Sequence, residues 1–118
     1  MVRLRVRQII ATQPDLAIRC EAGTIDHALR AIETSHFDLV IMDLSLGPEN
    51  GLDLVRRLRG ISPRLPILVY SLHHESLFAN PAFSAGANGY VMKQEAPQNL
   101  IHAIREVLAG RRYRTRPE

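Results

Sequence analysis

Residues 39–42 read Leu-Val-Ile-Met, an unbroken apolar run with Asp38 before it and Asp43 after it. Successive side chains of a strand point to opposite faces, so a strand built from such a run needs an apolar layer on both sides. The stretch "DLVIMD" (38–43) therefore predicts a buried strand of a parallel sheet, sandwiched between helices, with a carboxylate at its tip. Two further runs have the same character: "PILVYS" (66–71) and the shorter "GYVMK" (89–93). A fourth candidate strand is "LAIRC" (16–20).

The intervening segments carry helical periodicity. "TIDHALRAIETS" places Ile25, Ala28, Leu29 and Ile32 at helical spacing, with Thr24 as the N-cap. "GLDLVRRLRG" (51–60) aligns Leu52, Val55 and Leu58 and stops at a glycine. A last helix begins near Pro97, a residue suited to the first helical position, and ends at Gly110. From Ser71 to Gly86 the pattern weakens. Pro81 inside a helix would remove a hydrogen bond and clash with the preceding turn, at about 3 kcal/mol. Asn80 and Pro81 are therefore expected to cap and open a short helix over 81–86, with 73–86 mobile or extended. Strand alternating with helix predicts an α/β fold.

A chain of 118 residues with 46% hydrophobic content suits one packed domain. Its net charge is +3, with much of the excess in "VRLRVR" and "RRYRTR". Solvated basic ends are the expected role of these runs, since neither belongs to a recognisable nucleic-acid-binding module. The single cysteine, Cys20, allows no intramolecular disulfide and fits a reducing, cytoplasmic setting. No apolar run approaches the ~20 residues of a membrane span, and no apolar stretch follows the first arginines as a secretory signal requires.

In a parallel α/β sheet, reactive groups gather at the carboxyl ends of the strands. Asp43, Ser71 and Lys93 each follow an apolar run. Singly, an Asp there is most often a turn or cap residue, a Ser a turn former, and a Lys a solvated charge. Jointly, if the strands are neighbours, they bring a nucleophilic carboxylate, a hydroxyl and an ammonium to one rim, a set suited to phosphoryl chemistry. His73 and His74 are expected to be exposed loop residues with no metal role, since no third ligand stands at a sensible spacing.

The stretches "FDLVIMDLSLGPENGLDLVRRLR", "PILVYSLHHE" and "SAGANGYVMKQEAPQNLIHAIREVLAGRRY" carry a resemblance. From Val2 to about Tyr113 the chain resembles the receiver domain of two-component response regulators, in the subfamily with a C-terminal helix-turn-helix. The resemblance implies a flavodoxin-like (CheY-like), doubly wound parallel sheet of five strands in the order 2-1-3-4-5. It implies a receiver domain over 1–110 and a basic tail or linker start over 111–118. It implies that Asp43 accepts a phosphoryl group from a histidine kinase and that Ser71 is the switch hydroxyl. Tyr90 becomes the switch aromatic, and Lys93 pairs with the phosphoryl oxygens. By itself, a Tyr after Asn-Gly is more often a packing residue. A homodimer, and DNA contact only through an output domain absent from these residues, are implied as well.

The same resemblance implies Mg²⁺, held by Asp43, the Ser45 carbonyl and an acidic pair ending the first strand. That pair and that strand are missing: "VRLRVRQIIATQPDLAIRCEA" matches the family's first helix and second strand, so Met1 falls just after the acids' place. Val2–Ile10 cannot replace a central strand, because Arg3, Arg5 and Arg7 would be buried unpaired. As a helix it puts Val2, Val6, Ile9 and Ile10 on one face and turns Leu4 away. The gap then has three explanations. The polypeptide starts upstream, or the 16–20 strand closes directly against 38–43, or a second molecule supplies the missing element.

Two other functions compete. A phosphorylation-independent pseudo-receiver, acting through the last helix and the Pro81 helix as a dimerisation module, fits the missing acids. A phosphatase of the haloacid dehalogenase type needs a second Asp two residues after Asp43, where this chain has Ser45. The expectation is a signalling domain and not an enzyme, with at most weak self-dephosphorylation.

Overall fold

The computed structural model describes residues 2–22, 24–43, 48–71 and 75–114, with side chains over 6–22, 24–42, 51–71 and 79–114. In chain order the elements are α1 (Val2–Ala11), α2 (Ile25–Thr34), β1 (Val40–Asp43), α3 (Pro48–Ile61) and β2 (Ile67–Ser71). They continue with α4 (Glu75–Ala85), β3 (Gly89–Met92), α5 (Pro97–Leu108) and β4 (Tyr113–Arg114). The strands form one parallel sheet in the order β1-β2-β3-β4.

The alternation within β2 builds the two cores. Ile67 and Val69 point to one face, where they join Met42, Val55, Leu58 and Tyr90, with α4 contributing Ala79 and Ala82. Leu68 and Tyr70 point to the other and join Ile9, Ile10, Val91, Leu100 and Ile104. The result is α2, α3 and α4 on one side of the sheet and α1 and α5 on the other, as the uninterrupted apolar runs require. Thr24 caps α2 as expected, its Oγ1 accepting from the His27 N–H at 3.1 Å. The N-terminal helix also forms, burying Ile9 and Ile10 while Arg7 stays outside and pairs with Glu21. Leu4 lies outside the described side chains.

Three local expectations are corrected. Residues 16–20 form no strand; they run as irregular chain and do not pair with β1. A strand exists only by pairing, and the facing edge of β1 is not within ladder reach of this segment. Instead a cleft of about 730 Å³ separates the two. Second, a strand not foreseen, β4, adds Tyr113–Arg114 to the free edge of β3. Third, helix α4 begins at Glu75, not at Pro81, and carries Pro81 in its interior. Ala79, Ala82 and Ala85 recur every three residues on its buried face, and that burial holds the turn before the proline despite the lost hydrogen bond. Residues 73 and 74 lie outside the described residues.

Arg59 locks the base of the domain. Its guanidinium donates to the carbonyls of Gly86, Ser62 and Pro63 and to Asn88 Oδ1, all within 2.8–3.1 Å. Asn88 Oδ1 also accepts from the Ile67 N–H at 2.9 Å, so one side chain aligns the starts of β2 and β3. Gly86 adopts φ +121°, a conformation that favours glycine. A Cβ on Gly89 would come within 2.6 Å of Leu68 Cδ1. These glycines serve backbone geometry and close packing.

Candidate functional site at the carboxyl rim of the sheet

The register fixes where the three candidate residues stand. Asp43 pairs with Tyr70, and Ser71 pairs with Met92. Asp43 therefore ends β1, Ser71 ends β2 one step further along, and Lys93 is the first residue after β3. The Lys93 N–H donates to the Ser71 carbonyl at 2.7 Å, tying the last two together. Since β1, β2 and β3 are consecutive neighbours, the backbone brings all three residues to one rim. The Asp43 side chain lies outside the described ones, as does Ser45.

Ser71 is fully buried and Lys93 is only 7% exposed, the buried polar or charged residues among those described. A polar group is costly to bury unless it is engaged. The Lys93 Nζ lies 5.9 Å from the centroid of the Tyr70 ring, close enough for a cation–π contact that offsets part of the ammonium's lost hydration. Tyr90 is also fully buried, on the opposite face of the sheet from Tyr70. Two positioning residues were not foreseen. Tyr70, the aromatic end of an otherwise aliphatic strand, carries the ring beside Lys93. Glu95 accepts from the Met92 N–H and from Asn99 Nδ2, both at 2.8 Å, and so braces the turn that presents Lys93. Glu95 stands two residues before α5 and Asn99 lies in that helix's first turn, so no helical spacing in the sequence announces the pair.

The donors for a divalent cation are sparse. Among the described residues no three His, Cys, Asp or Glu side chains gather as a metal site. The first acid of the chain is Asp15, and it is held elsewhere: Arg105 donates to both its carboxylate oxygens, at 2.9 and 3.1 Å. Arg105 sits in the last turn of α5, beside the Val107 that packs over Gly89 at the start of β3. Asp15 thus stands by the strands' amino ends, away from the rim. One carboxylate and one carbonyl, Asp43 and Ser45, do not make a strong Mg²⁺ set.

Residues 1–105 match the family described as the response regulator receiver domain. The chain is a response regulator receiver domain. It is 40% identical over 97 residues to the transcriptional activator protein ExaE of Pseudomonas putida, covering 82% of this chain and 45% of that protein. It is 31% identical over 113 residues to the response regulator UvrY of Escherichia coli K12, covering 96% and 52%. Among solved structures, a LuxR-family two-component response regulator from Aurantimonas sp. SI85-9A1 superposes with a TM-score of 0.88 at 38% identity, over 95% of this chain and 80% of that one. The receiver domain spans about half the length of these curated relatives. Its parallel sheet with helices on both faces is the flavodoxin-like arrangement. No helix among the described residues is long and apolar enough to cross a membrane.

Proposed function

We propose that this receiver domain takes a phosphoryl group on Asp43 from a histidine kinase. An Asp43 carboxylate oxygen forms a P–O bond while the P–N bond of a phosphohistidine breaks, and the electron pair leaves with the imidazole nitrogen. The Ser71 hydroxyl donates to a phosphoryl oxygen and the Lys93 ammonium balances the charge gained. Tyr90 follows Ser71 as the switch aromatic. The observation that carries this reading is the meeting of Asp43, Ser71 and Lys93 at the ends of three adjacent strands, with the serine and the lysine both buried.

The modified domain then alters homodimerisation and, in a protein of the relatives' length, an output domain that contacts DNA. We place the receiver unit at 1–110, the basic tail at 111–118, and the protein in the cytoplasm, as a signalling domain that turns over no substrate beyond its own acyl phosphate.

Incubation with acetyl phosphate and Mg²⁺ should add one phosphoryl group, read by mass spectrometry and lost in Asp43→Asn. Folded protein that stays unmodified at high Mg²⁺ overturns the proposal. A second reading draws on the position of Asp15, since the one acid near the N-terminus is engaged with Arg105 and not at the rim. It makes the domain a phosphorylation-independent interaction module. Dimerisation unchanged in Asp43→Asn and untouched by acetyl phosphate is its signature.

A further inference from the structure

Asn99, His102 and Glu106 stand at i, i+3 and i+7 on α5 and so share one face. Each holds a segment outside the helix. Asn99 Nδ2 donates to Glu95 Oε1 at 2.8 Å. Glu95 Oε2 accepts from the Met92 N–H at 2.8 Å, and the Glu95 N–H donates to the Met92 carbonyl at 3.1 Å. The turn that presents Lys93 is thus fixed to the start of α5. One helical turn on, the His102 ring meets the Tyr113 ring edge-on. At the far end, Glu106 Oε2 accepts from Arg111 Nε and Nη2 at 2.9 and 2.6 Å. One stripe of a single helix therefore grips the Lys93 turn and the chain that leads into β4. Tyr113 is docked in its turn by the Asn88 carbonyl, which accepts from its N–H at 3.1 Å. After burial, the Glu95 charge also acts on Tyr113, raising its phenol. Phosphoryl transfer itself uses none of these residues.

We infer that Glu95 and this stripe couple the rim to β4, so that loading Asp43 tightens residues 113–114 and undocking them hinders loading. The inference rests on the phosphoryl reading of the rim. Glu95 is a positioning residue in it, acting through Lys93 and touching no reacting atom. The sign follows from order. A docked β4 holds His102, and the helix carries that constraint one turn back to Asn99 and Glu95. The turn then has less freedom left to lose when Lys93 engages a phosphoryl oxygen. Linkage makes the influence mutual.

Amide exchange on the unmodified 118-residue chain tests the coupling without phosphoryl transfer. Tyr113→Ala should speed exchange of the Lys93 N–H, which is bonded to the Ser71 carbonyl, by about fivefold. The amide of the fully buried Val69 should not change. Asn99→Ala cuts the stripe and keeps the bond from Met92 to Glu95. In that background Tyr113→Ala should leave the Lys93 amide unmoved, a result that a purely local packing role for Tyr113 does not produce. Acetyl phosphate with Mg²⁺ then tests loading. Phosphorylated chain should exchange 113–114 about fivefold more slowly than unphosphorylated chain, and Glu95→Ala should remove that difference. A Lys93 amide unchanged in Tyr113→Ala, or changed equally with Asn99→Ala present, overturns the inference. So does equal exchange at 113–114 with and without the phosphoryl group. Wild-type chain that takes no phosphoryl group overturns the reading of the rim instead, and the Lys93 amide still decides whether turn and tail are linked.

Discussion

Asn88 shows how much of the fold rests on single polar atoms. Its Oδ1 accepts from the Ile67 N–H and from Arg59, which itself holds four further contacts to three carbonyls. Asn88→Ala leaves a ladder-end N–H and a half-buried guanidinium short of an acceptor, at an expected loss of about 1–3 kcal/mol in chemical denaturation. Gly89→Ala tests packing at the neighbouring position. The new methyl meets Leu68 and Val107, and overpacking there should cost about 1–3 kcal/mol. Neither role was visible in the sequence, where Asn88 and Gly89 stand only as an Asn-Gly step before Tyr90. A residue's turn propensity is local, whereas the atoms it satisfies come from β2 and α3.

The short strand β4 is held by a side-chain contact at each of its two residues. Tyr113 packs edge-on against His102, with ring centroids 5.5 Å apart, and Arg114 donates to Asn80 Oδ1 at 2.8 Å. Burial, then the nearby Glu95 carboxylate, raise the Tyr113 phenol above its ordinary 10.0. A folded-state value above the unfolded one means that the neutral phenol favours the docked strand. Its contribution is complete below the unfolded value and is lost as pH rises through the folded one. Titration above pH 10 should therefore speed amide exchange in 113–114 before the core opens, and Tyr113→Phe should abolish that step. Helix α4 offers a contrast: Pro81 argued for a late start, and the alanine face overrode it. Pro81→Ala should raise stability, by up to about 3 kcal/mol.

At the scale of the molecule, the first and last helices hold the open side of the sheet together. Arg105 on α5 reaches Asp15 and Gln13, about ninety positions earlier in sequence. The Arg105 hydrogen bond lowers the Asp15 carboxyl below its ordinary 3.8. A depressed folded-state value stabilises above the unfolded value and is lost as pH falls through the folded one. Asp15→Asn should therefore shift the acid-unfolding midpoint upward, a difference read by circular dichroism between pH 5 and 2 that salt reduces. This link matters because β1 is the sheet's edge strand among the described residues, and both Asp15 and Arg105 line the cleft beside it.

The residues alone determined the strands β1, β2 and β3, the helices α2, α3 and α5, and the rim where Asp43, Ser71 and Lys93 stand. The start of α4 was not legible, and β1, expected buried on both faces, is an edge strand among the described residues with Val40 and Ile41 only half-buried. Uninterrupted apolar runs dictate burial on both faces, and helical periodicity dictates the cover. Only the tertiary structure decided what lies at the sheet's two edges. "LAIRC" has the composition of a strand and stays unpaired, while Tyr113–Arg114 lacks it and pairs with β3. The reason is physical: a strand is completed by a neighbour's hydrogen bonds, and the identity of that neighbour is set by long-range packing that no local pattern of side chains records.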